Sequence, residues 1–361
     1  MSRDSTTELR ERLGAAIADG TPLSIVGGGT KSFYGRAPRG EPLDLSAHAG
    51  ILNHEPKELV LTARAGTRLD EIEQALAEHG QHLPFEPPRF CVGPSAAGAT
   101  LGGAIACGLG GPARPQAGAP RDLVLGVRVL TGRGEVLRFG GEVMKNVAGY
   151  DVSRLMAGAM GTLGILLDIS VKVMPRPVVS HTRMLEVGVD EALERMTAWA
   201  ARPLPISATA WYGGRLWVRL SGARLGVSSA AESIGGDPLD ESTAEILWRD
   251  QIRDQAHPFF AGDGSLWRLS LPSAVAALPL SGDQLIEWSG CLRWLRSDRS
   301  AEEIRRQVAA VGGHATLFRG GDRSGEVFHP LSETAMRLHR RVKQAFDPEG
   351  ILNPGRLYAE F

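Results

Sequence analysis

Apolar residues recur along this chain at two periods, and each change of period marks a change of element. Leu9, Leu13 and Ile17 fall at helical spacing, Ser5-x-x-Glu8 before them reads as a capping box, and Gly20 ends the helix. Leu23–Val26 is a short apolar strand that runs straight into Gly27-Gly28-Gly29-Thr30. A second step repeats the theme, with Glu58–Ala65 as a strand and Leu69–His79 as a helix capped by Thr67. From Asp122 to Phe139 the period is two, with Leu123, Leu125, Val127 and Val129 alternating and Thr131-Gly132-Arg133-Gly134 as a hairpin turn. Val147–Met160 reads as a helix and Ile165–Val173 as a strand, after which Pro175 and Pro177 mark a domain boundary.

Beyond that boundary the pattern changes. Short strands (Arg215–Leu220, Leu266–Leu271) mix with amphipathic helices (Asp190–Ala201, Ala301–Val311), and a last helix, Leu331–Phe346, precedes FDPEGILNPGRLY. The expected fold class is α+β, with domains at 1–177 and 178–330 and a C-terminal segment at 331–361.

Composition narrows the picture in a few places. A chain of 361 residues buries a core without disulfides or structural metal. Lys+Arg 40 against Asp+Glu 41 leaves a net charge of −1, so no global field draws it to nucleic acid. Cys91, Cys107 and Cys291 are too few and scattered for a zinc site or a four-cysteine iron–sulfur cluster, and fit a reduced, cytoplasmic chain. The charged N-terminus lacks the apolar region of a secretion signal, and no apolar run reaches about 18 residues. Membrane contact is therefore expected only through partner subunits.

Glycine is the outlier: 45 residues, about 12% of the chain against roughly 7% in average usage. Eight lie between Gly93 and Gly118, interleaved with Leu101, Ile105 and Leu109, which argues against a linker. Such a stretch lets a ligand approach the main chain where a Cβ would collide; a loop-rich segment is the plainer alternative.

Three glycine elements carry candidate chemistry. The first, Gly27 to Thr30, suggests consecutive N–H groups around phosphate oxygens, although a mere turn fits it as well. It is neither a Rossmann loop, since Ser32 stands at the third glycine position and no helix follows, nor a Walker loop, since Thr30 precedes Lys31-Ser32. The second, Pro94 to Ala104, has small side chains at nearly every place, with Ser95 and Thr100 as hydroxyl donors. The third runs from Lys145-Asn146-Val147-Ala148-Gly149-Tyr150-Asp151 to Gly161-Thr162-Leu163-Gly164-Ile165.

In this order the three elements resemble the FAD-binding domain of the vanillyl alcohol oxidase and p-cresol methylhydroxylase flavoproteins, over roughly residues 1–177. FDPEGILNPGRL is similar to that family's C-terminal signature, in which the chain returns to the flavin domain. The resemblance implies two α+β subdomains holding FAD and a second α+β cap domain. It places the pyrophosphate at Gly27, Gly28, Gly29, Thr30, Lys31 and Ser32, and the flavin and diphosphate along Ser95, Thr100, Leu101, Gly102 and Gly103. Tyr150, Gly161, Thr162, Gly164 and Ile165 would approach the adenosine end, and Asn353 and Arg356 would close the site. Lys31-Ser32 stand where many members tether FAD through a histidine, so non-covalent binding is implied, with Cys91 and Cys107 as minor candidates for a thioether.

Within the family the chain is most similar to the flavoprotein-subunit branch of bacterial glycolate oxidases. KNVAGYDVSRL, LWRLSLP (Leu266–Pro272) and WSGCLRWL (Trp288–Leu295) carry that likeness. It implies a paralogous FAD-containing catalytic subunit, an iron–sulfur subunit, and a small 2-hydroxy acid as substrate of the complex. The family's catalytic members carry H-x-G-D-G-N-x-H; here Gly262-Asp263-Gly264 remains, but Phe260 and Trp267 stand at the two histidine positions. This chain thus lacks that metal site and an obvious base, no catalytic residue is assigned, and an electron relay or a supporting role for its FAD is expected. Arg268, Arg293 and Arg296, each beside a tryptophan, either clamp a carboxylate or stack on the rings. Two alternatives stay open: a self-sufficient flavin oxidase of another alcohol or sugar acid, and a scaffold with no cofactor.

Overall fold

A computed structural model describes residues 3–90, 98–142 and 150–361. The chain forms two compact units: 1–109, 119–175 and 323–361 make the first, and 110–118 with 176–322 the second.

In the first unit the opening helix spans Thr6–Asp19 and buries Leu9, Leu13 and Ala16, one face at helical spacing. Gly20 ends it in the left-handed region (φ 65°), where its N–H reaches Ala16 and Ile17 carbonyls. The expected capping box is not formed. Glu8 pairs with Arg3 at 2.8 Å instead, and the Ser5 N–H donates to buried His48 Nδ1 at 3.0 Å.

Strands β1 (Leu23–Val26) and β2 (Glu41–Asp44) pair in parallel. A five-stranded antiparallel sheet follows, built from β3 (Ile51–Glu55), β4 (Val60–Arg64), β6 (Val124–Leu130), β7 (Val136–Gly140) and β8 (Ile165–Lys172), ordered β3-β4-β8-β6-β7. The short strands β5 (Gln81–His82) and β9 (Met174–Pro175) pair with each other. Central β8 is buried over nearly its whole length, so it reads as an apolar run rather than an alternation. Its one carboxylate, Asp168, is met by Arg128 of β6 at 2.6 Å.

Two sequence expectations fail locally. The helix Leu69–Glu78 has Arg68, not Thr67, at its N-cap, because Thr67 Oγ1 accepts from Gly50 N–H at 2.9 Å. The helix expected over 147–160 is only Val152–Met156 in the described residues, with 147–149 outside them. Asp151 caps it, and Ala157 turns extended before Gly158 enters positive φ (85°).

The last helix, Glu333–Phe346, buries a polar hub rather than an apolar stripe. Lys343 Nζ donates to Asp347 at 2.6 Å and to the carbonyls of Thr162 and Leu352 at 2.7 Å each, while Asp347 accepts from Leu352 N–H at 2.8 Å. Every ammonium proton is thus satisfied, which makes the buried charge tolerable.

The second unit is one eight-stranded antiparallel sheet. Its strands are β10 (Val179–Glu186), β11 (Ile206–Tyr212), β12 (Arg215–Gly222), β13 (Asp237–Leu239), β14 (Leu266–Ser270), β15 (Asp283–Glu287), β16 (Leu292–Arg296) and β17 (His314–Arg319). The order is β13-β10-β12-β11-β15-β16-β14-β17. Helices Val189–Ala200, Arg224–Ile234 and Ala301–Ala310 bury their apolar faces against it, through residues such as Met196, Val227 and Ile304. No helix among the described residues is long and apolar enough to cross a membrane.

Candidate functional site

The first unit contains an open cavity of about 790 Å³, solvent at its mouth included. Its wall is assembled from four separated stretches of sequence. β1 delivers Gly27 to Ser32, the helix Leu101–Cys107 presents Gly102, Gly103, Ala106 and Cys107, the turn before β8 adds Met160, Gly161 and Gly164, and the C-terminal return adds Asn353 and Arg356.

The glycines of the first loop have different reasons to be glycine. A Cβ on Gly27 would stand 2.6 Å from Thr100 Oγ1, and one on Gly28 would stand 1.6 Å from the carbonyl oxygen of Gly98. Both are required by the second glycine element pressing against the first. Gly29 has positive φ (70°) and open space beside its Cβ position, so there the clearance faces the cavity. Gly102 repeats the packing reason, since its Cβ would meet Ala65 Cβ at 2.7 Å. Thr100 caps the Leu101–Cys107 helix, its Oγ1 accepting from Gly103 N–H at 3.2 Å.

The C-terminal return fixes the loops around the cavity. Asn353 Oδ1 accepts from Ile25 N–H at 2.7 Å, and Asn353 Nδ2 donates to the Met160 carbonyl at 2.6 Å. One side chain thereby ties β1 to the turn before β8. Arg356 donates to the carbonyls of Ser32 (2.8 Å), Tyr34 (2.6 Å) and Arg36, while Arg36 Nε donates back to the Gly355 carbonyl at 2.9 Å. Burial pushes the Arg356 guanidinium pKa down, but these carbonyls hold its protons.

The wall is positive. Lys31 and Arg356 line it, and among the described residues no carboxylate does. Lys31 is buried, its Nζ 3.3 Å from Thr30 Oγ1 and 5.6 Å from the centre of the Phe90 ring. Burial pushes the Cys107 thiol pKa up, against the pull of Lys31 and Arg356, which keeps it a neutral thiol. Main-chain N–H groups, small residues and one buried ammonium fit a diphosphate, and the apolar stretch from Ile25 through Leu45, Ala65 and Leu166 fits a flat ring system.

Of the residues expected from the sequence, Gly27 to Ser32, Thr100, Gly102, Gly103, Gly161, Gly164, Asn353 and Arg356 come together on this wall. Leu101 and Ile165 are wholly buried in the core instead, and Thr162 is buried with Oγ1 donating to the Ala159 carbonyl at 2.7 Å. Tyr150 is 95% exposed and does not line the cavity. Ser95, Cys91 and 145–149 lie outside the described residues. Sequence reading missed Ile25, Leu45, Ala65, Ala106, Met160 and Leu166 as wall residues. The apolar runs of β1 and β8 could have flagged Ile25 and Leu166, and those only as apolar.

The second unit disposes of its own glycine loop differently. Phe260 and Trp267, at the two positions where the resemblance led us to look for histidine, are buried in the core. Phe260 stacks edge-on with Phe259 and Trp294, 5.0 and 5.6 Å between centroids. Arg296 Nε donates to the Phe259 carbonyl at 2.6 Å, and its other nitrogens to the carbonyls of Phe260, Asp263 and Gly264. Arg293 is fully buried and donates to the carbonyls of Gly290, Ala276 and Val275. These two arginines hold loops together and have no fork left for a carboxylate. Among the described residues no three His, Cys, Asp or Glu side chains gather as metal ligands would.

Comparison with known proteins agrees with this geometry. A family model described as an FAD binding domain matches residues 3–140, and one described as the C-terminal domain of FAD linked oxidases matches 319–357. Glycolate oxidase subunit GlcE of Escherichia coli (strain K12) is 48% identical over 99% of this chain and 98% of its own length. Glycolate oxidase subunit GlcD of Bacillus subtilis (strain 168) is 25% identical over 99% of this chain and 88% of its own. D-lactate dehydrogenase of Anaerostipes hadrus is 31% identical over 91% and 82%. Among solved structures, p-cresol methylhydroxylase with substrate bound superposes with a TM-score of 0.70 at 16% identity, over 99% of this chain and 88% of that one. That last likeness establishes the fold.

Proposed function

The chain belongs to the FAD-linked oxidoreductase family that includes glycolate oxidase subunit GlcE, has FAD as its cofactor, and from that premise we propose that it is the FAD-binding subunit of a glycolate-oxidising complex. The observation that carries the reading is the cavity of the first unit, whose positive, small-residue wall suits a dinucleotide. Within it, Gly27 to Ser32 and Lys31 hold the diphosphate, and Thr100, Gly102 and Gly103 accept the flavin against the main chain. Asn353 and Arg356 act indirectly, by fixing the loops. FAD is held non-covalently, since among the described residues no histidine lines the wall and desolvation raises the pKa of the half-buried Cys107 thiol.

When bound, FAD would supply an electron acceptor for a complex that oxidises a 2-hydroxy acid to a 2-oxo acid. The chain's own residues position the cofactor and exclude water from its inner side. They do not supply the base: the second unit buries Phe260 and Trp267 where the catalytic branch has imidazoles. A paralogous subunit would therefore deprotonate the substrate, and FAD held by this chain would relay electrons or support assembly. An iron–sulfur relay belongs to a third chain, because three cysteines cannot ligate a four-cysteine cluster.

Co-purification of the native protein, with a visible flavin spectrum and mass spectrometry of its partners, tests the reading. Yellow protein that brings down a paralogous flavoprotein and stays oxidised with glycolate when isolated is the expected result. Isolated protein that bleaches with a hydroxy acid is a self-sufficient enzyme, and colourless protein is a scaffold; either outcome overturns it.

A further inference from the structure

LWRLSLP and WSGCLRWL do not line the FAD cavity. They meet within the second unit. Trp288 opens a run of three residues in the left-handed region, Trp288 (φ 54°), Ser289 (φ 53°) and Gly290 (φ 88°). Two consecutive non-glycine residues there are costly, and such strain gathers where a side chain must be held in one place. The strain is over-determined: Trp288 Nε1 donates to the Gly111 carbonyl at 3.0 Å, and Ser289 N–H donates to Thr209 Oγ1 at 2.8 Å.

The indole so fixed carries two guanidinium groups. Arg114 lies 4.5 Å and Arg268 5.1 Å from the ring centroid. Two cations on one ring repel each other, and an anion between or beside them relieves the repulsion. Arg293 and Arg296 of the same unit are saturated by carbonyls, but Arg268 is not. Among the described residues no carboxylate lies within ion-pair distance of it and no carbonyl accepts from it; the half-buried guanidinium has Trp288 alone. A guanidinium held over an indole keeps N–H donors that its cation–π contact does not use, and an arginine fork matches a planar carboxylate bidentately.

We infer that Arg268, with Arg114 and the strained Trp288, forms a carboxylate-binding subsite in the second unit, for a small 2-hydroxy or 2-oxo acid. Only the identity of the acid rests on the function proposed above; the anion site rests on the arginines and the indole. The subsite binds without catalysing, since no base accompanies it.

Oxalate, a non-oxidisable planar dicarboxylate, is the probe. Titrated into the full-length protein, it should change tryptophan fluorescence saturably, and glyoxylate should compete. Arg268→Gln should weaken binding about tenfold or more, and Arg268→Lys, which keeps the charge but loses the fork, should weaken it less. In the unmutated protein, oxalate should protect Arg268 and Arg114 from phenylglyoxal, as mapped by peptide mass spectrometry, a readout that needs no variant to fold. Absence of saturable binding at millimolar oxalate, equal affinity in Arg268→Gln, or no protection overturns the inference. Inorganic phosphate that binds at the same arginines as tightly as oxalate would show a phosphate site and overturn the carboxylate assignment. Oxalate binding in protein that lacks flavin or partners would refute the proposed function and leave this subsite standing.

Discussion

The chain contains two glycine loops of similar look and opposite fate. Gly27 to Ser32 borders a cavity, while Gly262 to Gly264 is closed around the guanidinium of Arg296. At the first loop Arg356 takes the carbonyls of Ser32 and Tyr34 and itself lines the cavity, while Arg36 donates to the Gly355 carbonyl of the C-terminal return. In the second the arginine takes the carbonyls of the loop itself, and the buried rings of Phe260 and Trp267 flank it in sequence. A glycine motif therefore says that the backbone passes close to something. What it passes close to is decided by the residues around it.

The strongest way to break this contrast is to restore the histidines. Phe260→His with Trp267→His should destabilise the second unit by about 3 kcal/mol or more, because one buried ring is lost from a packed aromatic cluster and a second buried ring from the core. Zinc should neither raise the melting temperature of the variant nor bind tightly, since Arg296 already holds the carbonyls of the loop. Metal-dependent stabilisation by calorimetry would show that the second loop is still a working site.

The next test compares the glycines directly. Gly28→Ala puts a Cβ 1.6 Å from the Gly98 oxygen and should cost about 3 kcal/mol together with the flavin. Gly264→Ala strains a positive φ (81°) and crowds Asp298 at 2.8 Å, a side chain able to move. It should cost about 1–2 kcal/mol and leave flavin content unchanged. Denaturant melts with flavin quantification measure both.

Much of this contrast was legible in the sequence, but unevenly. The strand Leu23–Val26 and the glycines after it needed only pattern, and the missing imidazoles needed only the spacing around Gly262-Asp263-Gly264. The reason for each glycine was not legible: Gly27 and Gly28 yield to Gly98 and Thr100, some seventy residues away in sequence. The same holds for the arginines. Arg268, Arg293 and Arg296 look alike beside their tryptophans, and only tertiary packing separates the two that bind carbonyls from the one that does not. Lys343, a buried cation in a helix that reads as exposed and basic, gave no signal, because its partners are mostly carbonyls.

Smaller effects sharpen the account of the first unit. Lys31→Ala should weaken FAD about tenfold without changing the melting temperature of the flavin-free protein, since a positive charge near the diphosphate is lost. Flavin-release titration measures it, and unchanged affinity places Lys31 outside the site. The least effect concerns acid. A hydrogen bond from Thr6, aided by Arg128 and His48, holds the Asp4 carboxyl pKa at about 2, below its ordinary 3.8. A depressed carboxylate stabilises the fold above its unfolded value, and that contribution disappears as pH falls from about 3.8 to about 2. Asp4→Asn should therefore flatten the acid dependence of melting in that window only, and by little, because Asp4 is half exposed.

The central claim is that FAD sits against the main chain of the first loop and the helix beneath it. Flavin stoichiometry in Gly29→Trp and Gly103→Trp, beside the unmutated protein, tests it most directly. Each indole would enter the cavity, Gly29 from a position with open space and Gly103 from a helical one. The account predicts that the unmutated protein carries flavin and that both variants melt cooperatively but are colourless. Full flavin content in both would place the cofactor elsewhere and contradict it.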